Sequence, residues 1–291
     1  MHAEKGAFSV CRMARLLGVS RSGYYAWVRR EPSDRAVRHQ RLEAKVAAFH
    51  EASDEVYGAP RILADLRQDG EVVSRKTVAG VMRKLGLQGI CPRRWRTTTI
   101  TDTHDAYPAD AVKRRWDTGA TDAVWVGDIT YLRTWEGWLY LATVIDACSR
   151  RVIGWVIADH MRADLVEDAL RMAITLRGEL PGQVIFHTDR GTQYASKQMA
   201  EYAPKNGIIR SMGHTGVCWD NAMAESFFAT LKTEYYDRRV WPTRKKAALG
   251  VGAWFEDRYN RNRRHSALGQ ISPVEFERQH NNQTAAPPKA A

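Results

Sequence analysis

From Ala123 onward the apolar positions fall into short runs separated by turn residues, and their period changes along the chain. Val124 to Arg133 alternates as a strand, Trp135-Glu136-Gly137 reads as a turn, and Trp138 to Ala147 returns. After Cys148-Ser149-Arg150, Arg151 to Ala158 gives a third strand, so a three-stranded antiparallel meander is predicted. Met161 to Leu176 then shifts to helical spacing, with Leu165, Val166, Ala169, Leu170, Ala173 and Ile174 on its apolar side. A strand at Val184–His187, a helix from Ser196 to about Lys205, a strand at Ile208–Ser211 and a helix around Glu225 follow. The order βββαβαβα predicts an α/β fold with a sheet of mixed direction.

Upstream the pattern is helical. Ser9 to Val28 has the form of a helix-turn-helix, with Met13, Leu16 and Leu17 on one face, a turn at Gly18, and Ser20 capping a second helix that presents Arg21, Tyr24 and Tyr25. An ordinary αα-hairpin fits those residues nearly as well. Pro32-Ser33-Asp34 caps a helix over Arg35–Ala52. A second pair follows, with Ile62, Leu63 and Leu66 inward in its first helix and Val78, Val81, Met82 and Leu85 in its second. Arg75, Lys76, Arg83 and Lys84 decorate that last helix, where they can neutralise DNA phosphate or simply form a solvated face. Cys91 to Thr103 has no period and carries Arg93, Arg94, Trp95 and Arg96, as a linker that tracks a DNA backbone or a plain tether.

The divisions expected are a helical segment at 1–53, a second helix-turn-helix-like module at 54–90, a basic linker at 91–118, a catalytic core at 119–240, a helical extension at 241–280 and a disordered tail at 281–291. Ser266-Ala267-Leu268-Gly269 and Ser272-Pro273 are expected to end the globular part.

A net charge of +11 across 291 residues points to a polyanionic partner, most often nucleic acid. The four cysteines form no CxxC pair, which argues against a zinc knuckle or disulfide framework. No apolar run has membrane-spanning length and the first residues do not open a signal peptide, so a soluble, cytoplasmic, nucleoid-associated protein is expected.

Three acids stand out against this background. Asp128 interrupts the apolar strand V-W-V-G-D-I-T-Y-L, where acids are depleted. Asp189 ends a run of strand-favouring residues (Val184, Ile185, Phe186) and opens a Gly-containing loop in which Thr188, Arg190 and Gln193 can touch phosphate. Glu225 lies on a helix whose stripe includes Asn221, Phe228 and Lys232. Each has a plainer alternative: a hydrogen-bonded strand Asp, an Asx-turn and a surface Glu. Two strand carboxylates and one helix carboxylate can converge on divalent cations, and hard oxygen ligands suit Mg²⁺. His187 reads as a core histidine or an aid to the site, Asp146 as a turn residue or support, Asp220 as a helix cap, and His214 as a loop residue near substrate.

The motifs V-W-V-G-D-I-T-Y-L, W-E-G-W-L-Y-L-A-T-V-I-D, H-T-D-R-G-T-Q-Y, C-W-D-N-A-M-A-E-S-F-F-A-T-L-K-T-E and Y-N-R-N-R-R-H-S-A-L-G resemble the integrase-type catalytic core of bacterial insertion-sequence transposases. The match is to the OrfB product of the insertion-sequence-three family, and it covers about Tyr57 to Pro273. The 35 residues between Asp189 and Glu225 fit that family's DD(35)E pattern. The resemblance implies a ribonuclease-H-like, retroviral-integrase-type core that uses Mg²⁺ (two ions, with Mn²⁺ able to substitute) to cleave and transfer DNA strands. Asp128, Asp189 and Glu225 would be catalytic metal ligands, and Lys232 would position DNA. The zinc-binding domain of retroviral integrases is absent, and so is a sustained heptad repeat. The resemblance therefore implies an OrfA partner, terminal inverted repeats and target DNA as substrates, and a homo-oligomer on DNA. The basic tract Arg261, Arg263 and Arg264 favours DNA over an RNA–DNA hybrid. The competing functions are a non-catalytic DNA-binding repressor and a ribonuclease-H-like nuclease that only hydrolyses.

Overall fold

The computed structural model describes residues 1–91, 108–112, 118–180, 182–213 and 222–285, with side chains to 283. The chain divides into two compact units, Met1–Gly89 and Ile90–Ala291.

The first unit holds α1 (Val10–Leu16), α2 (Arg21–Arg29), α3 (Asp34–Ala52), α4 (Ala59–Gln68) and α5 (Arg75–Lys84). Serine starts four of them: Ser9, Ser20, Ser33 and Ser74 each accept a backbone N–H three residues on. Such a cap stabilises a helix start by about 1 kcal/mol. Ile62, Leu66, Val46, Val78 and Val81 are fully or almost fully buried, as the helical period requires. The first helical pair departs from expectation. Leu16 is 76% exposed and Leu17 also lies open, whereas Tyr24 is buried beside Met13 and Ala14. The seven-residue α1 is too short to bury a full apolar stripe.

In the second unit β1 (Val124–Thr134), β2 (Gly137–Asp146) and β3 (Val152–Ala158) form the meander. β4 (Val184–Thr188) and β5 (Ile208–Met212) run parallel to β1 and complete a five-stranded sheet of order β3-β2-β1-β4-β5. The helix α6 (Ala163–Arg177) crosses over between β3 and β4, and the single turn α7 (Thr192–Ala195) with α8 (Lys197–Lys205) crosses from β4 to β5. Alternate residues of the strands serve opposite faces. Trp125, Ala142, Val144 and Ile153 pack under Leu165, Ala169, Leu170 and Ala173 of α6. Leu132, Leu139, Leu141 and Ile145 meet Phe227, Phe228 and Leu231 of α9 (Ala222–Glu234) on the other side. A third layer continues through α10 (Arg244–Ala253) and a π-helical turn at Trp254–Asn260. This is the mixed α/β architecture that the order of elements predicts.

The globular part does not end at Ser272-Pro273. Ser272 Oγ accepts from Glu275 N–H and starts α11 (Pro273–Ala285). Its Glu277 is buried against Ser149, Arg151 and Arg177, at 2.8 Å from the Ser149 hydroxyl and 2.6 Å from Arg151. Arg177 also pairs with Asp122 at 2.8 Å and lies 3.9 Å from Asp146, so α11 is tied to the ends of α6, β1 and β2. The first residues of the expected tail, 281–285, are therefore helical.

Arg263 is likewise structural rather than a DNA contact. It is 6% exposed and makes two 2.7 Å bonds to the Glu234 carboxylate, with its guanidinium over the Tyr259 ring. Arg264 donates to the Gln270 carbonyl at 2.6 Å, whereas Arg261 stays exposed. Among the described residues no helix is long and apolar enough to cross a membrane.

At Gly154 α6 presses its backbone on the sheet. A Cβ there would run into the Ala169 carbonyl oxygen and sit 2.9 Å from the Ala173 nitrogen. Overpacking of this kind costs about 1–3 kcal/mol, and here the obstacle is backbone that cannot swing away. Gly154→Ala should lower stability by at least that amount in denaturant unfolding; an unchanged midpoint would show that α6 does not seat on β3 in this way.

Candidate active site

The site is positioned by the parallel pairing of β1 with β4. Val124, Trp125 and Val126 pair with Ile185, Phe186 and His187, and two residues further along both chains stand Asp128 and Asp189. Neighbouring strands lie roughly 4.8 Å apart, so the two carboxylates emerge from adjacent backbones at the end of β4. Gly127 permits this approach: a Cβ on it would collide with the Phe186 ring and sit 3.1 Å from the Thr188 methyl.

Both acids act on one buried phenol. The hydroxyl of Tyr194 is held well above its ordinary range, first by burial and then by the charges of Asp128 and Asp189. Tyr194 has no role in the sequence-based expectations, and its position five residues after Asp189 is the one signal that marks it. Asp128 is half-buried and accepts from the Ile129 N–H at 2.7 Å. Asp189 reaches solvent, yet crowding around its carboxyl pushes its pKa up, against the lowering effect of the Gly191 N–H at 3.0 Å. That Gly191 bond is the Asx-turn offered as a rival explanation. It orients the acid without saturating its oxygens, so turn and site coexist.

The third acid sits on the helix that covers the same strand. Met223 and Ala224 of α9 pack on Val124 and Val126 of β1, and Phe228 and Leu231 join the cluster around Leu132. Asp128 falls between those two contacts along the same strand face, and Glu225 occupies the first turn of α9. Burial raises the Glu225 carboxyl. Lys232, two turns on, is half-buried with its ammonium 4.9 Å from the centre of the Tyr131 ring. Burial lowers its pKa, and Asp237 and Asp128 pull it back up, so Lys232 lies within the field of the site.

Two acids thus stand on neighbouring strands and the third on the covering helix, but among the described residues no three His, Cys, Asp or Glu side chains form a metal cluster. The donor set fits a hard cation: carboxylate oxygens, one of them crowded and answered by a single N–H.

The remaining expectations divide by location. Arg190 donates to the Gly213 carbonyl at 2.9 Å and Gln193 to the Met161 carbonyl at 3.0 Å, so both brace the loop after β4. His187 is a core histidine, 2.9 Å from Ser211 Oγ and 3.8 Å from the Asp110 carboxylate. Asp146 is buried and accepts from the Asp122 and Ser149 N–H groups, which makes it part of the α11 network. Arg75, Lys76, Arg83 and Lys84 are exposed along α5, with Lys84 paired to Glu43. Asn221, Arg93, Arg94, Arg96, Trp95, His214 and Asp220 lie outside the described residues.

Residues 120–218 and 206–273 match models described as "Integrase core domain", and residues 38–95 match an "HTH-like domain". Transposase InsF for insertion sequence IS3A of Escherichia coli K12 is 39% identical over 276 residues, covering 94% of this chain and 96% of the relative. A putative transposase for IS986/IS6110 of Mycobacterium tuberculosis is 39% identical over 264 residues, covering 89% and 95%. Among solved structures, the HTLV-2 integrase catalytic core domain in complex with magnesium aligns with a TM-score of 0.42 at 16% identity, covering 53% of this chain and 95% of that one. With relatives this similar along nearly its whole length, the chain belongs to the IS3 family of insertion-sequence transposases, with an integrase core behind an HTH-like domain.

Proposed function

We propose that this transposase cleaves DNA at the terminal inverted repeats of its element and transfers the freed 3′-hydroxyl to target DNA, using Asp128, Asp189 and Glu225. The observation that carries the proposal is the register of β1 with β4, which sets Asp128 beside Asp189 under the helix that bears Glu225. Two Mg²⁺ ions, or Mn²⁺ in their place, would supply activation of the attacking oxygen and neutralisation of the leaving one. Asp128 from within β1 and Asp189 just after β4 would hold the cations through their carboxylate oxygens, with Glu225 contributing from α9. Lys232, its ammonium partly desolvated, would clamp a phosphate next to the scissile bond. Tyr194 would stay protonated beneath the two acids and offer its hydroxyl as a fixed donor rather than a third negative charge.

DNA engagement extends over the cationic face of α5 (Arg75, Lys76 and Arg83) and the exposed Arg261, which suit phosphate contacts. An OrfA-type subunit would supply the end recognition, and the complex would assemble as an oligomer on DNA.

Asp189→Asn and Glu225→Gln should each abolish both nicking and strand joining on terminal-repeat duplexes with Mg²⁺, while DNA binding persists. Joined products surviving either change would remove the mechanism, and nicks without joining in the wild type would favour the hydrolytic nuclease.

Stability should report the crowded acid independently. A carboxyl raised by crowding favours folding below its unfolded pKa, roughly 3.9, and that contribution is lost as pH rises through the folded value. In chelator, Asp189→Asn should therefore melt higher than the wild type at neutral pH, and the difference should vanish in acid below the unfolded pKa. Divalent cation should raise the wild-type melting temperature and leave the variant unmoved. A variant that melts lower than wild type at neutral pH in chelator would contradict the desolvated-acid picture.

A further inference from the structure

We propose that the tip of the β1–β2 hairpin is a stacking platform for an unpaired nucleobase of the DNA strand held at the active site. It rests on the DNA-processing function above and adds a site for the bases, which the acids and cations do not address.

The hairpin presents three aromatic rings to solvent: Tyr131 is 60% exposed, Trp135 74% and Trp138 46%. Soluble surfaces rarely gather large aromatic side chains in one place without a binding role. Tyr131 and Trp138 meet edge to face, with ring centres 5.2 Å apart. They border a cleft of about 530 Å³, floored by Leu132, Thr134, Tyr236 and Trp241. Small-molecule sites fall in the range of roughly 300–1,000 Å³.

The platform is rigid. The Trp135 N–H donates to the Trp241 carbonyl at 3.0 Å, and the Tyr236 hydroxyl donates to the Arg133 carbonyl at 3.1 Å. Glu136 accepts the Arg244 N–H at 2.7 Å and so starts α10, while Thr134 bridges the turn to the Gly137 carbonyl at 2.8 Å. A hairpin backbone held in this way carries the rings at set positions, so less order has to be gained on binding, which favours affinity. The hairpin is tied to the segment after α9 and is not a mobile loop.

Charge selects the partner. Arg133, Lys232 and Arg239 line the cleft against the single acid Asp237. Lys232 sits over Tyr131, which follows Asp128 by three residues on the same strand. A strand whose phosphate met Lys232 would carry its next bases over Tyr131 and Trp138. Aromatic rings beside cations are the sequence-tolerant way to hold single-stranded nucleic acid. A protein partner would also cover exposed tryptophans, but it has no need of three cations around one cleft beside the acids.

The test uses the full-length protein and two terminal-repeat duplexes, one blunt and one ending in a two-nucleotide overhang that carries 2-aminopurine. The wild type should bind the overhang duplex more tightly than the blunt one and quench the 2-aminopurine. Tyr131→Ala and Trp138→Ala should each weaken overhang binding by roughly 5- to 150-fold and abolish the quench, leaving blunt-duplex affinity unchanged. Trp138→Phe should keep both, and melting curves should show all variants folded, because the rings are exposed. Equal loss on both duplexes, or no wild-type preference, would overturn the platform while leaving the function intact. A wild-type dimer that Trp135→Ala dissolves, with overhang binding unaffected, would overturn it in favour of a protein interface. Failure of the wild type to bind either duplex would remove the function and the platform with it.

Discussion

Parallel pairing of β1 with β4 is the constraint that the rest of the catalytic unit accommodates. It is short, three residue pairs from Val124↔Ile185 to Val126↔His187, and it ends where the two acids begin. Because β4 stops at Thr188 while β1 continues to Thr134, the pairing edge of β1 opens directly after the acids. Both chemistry and substrate need that opening. A one-residue slip in this register would turn Asp128 to the α6 face and leave Asp189 without its neighbour. Gly127 keeps the register by giving the Phe186 ring room, and the apolar clusters on the two faces make any slip expensive.

The ion pairs of the core gather away from that edge. Asp128 and Asp189 accept N–H groups of Ile129 and Gly191, whereas Asp122, Asp146 and Glu277 are matched by Arg177 and Arg151 at the start of β1 and the end of β2. Asn260 adds to this end by accepting the Val152 N–H and donating to its carbonyl, at 3.0 and 2.9 Å, as a neighbouring strand would. Satisfied networks of this kind rigidify the frame that carries the acids.

The sheet was legible because its signals are local. Alternation marked β1 to β3, turn residues bounded them, and the apolar stripe of α6 needed no tertiary knowledge. Asp128 and Asp189 were legible for a related reason, since an acid in a β-favouring run costs stability unless it serves something. What escaped depends on partners far along the chain. Pro273–Ala285 shows little apolar period, and its helix is fixed by Glu277 reaching Arg177 and Arg151, 100 and 126 positions away. Arg263 looked like one member of a basic string, and only its bidentate bond to Glu234 separates it from the exposed Arg261. Leu16 and Tyr24 exchanged their expected exposures because a short α1 offers little to bury.

Whether the two strand acids and Glu225 share cations is open to direct observation. Crystals of the full chain soaked in Mn²⁺ would carry an anomalous signal that locates the metal without reference to activity. Density bridging the carboxylates of Asp128 and Asp189, at roughly 2.0–2.2 Å from their oxygens, with Glu225 turned toward it, is the predicted result. Manganese bound elsewhere, with those two carboxylates directed away from each other, would contradict it.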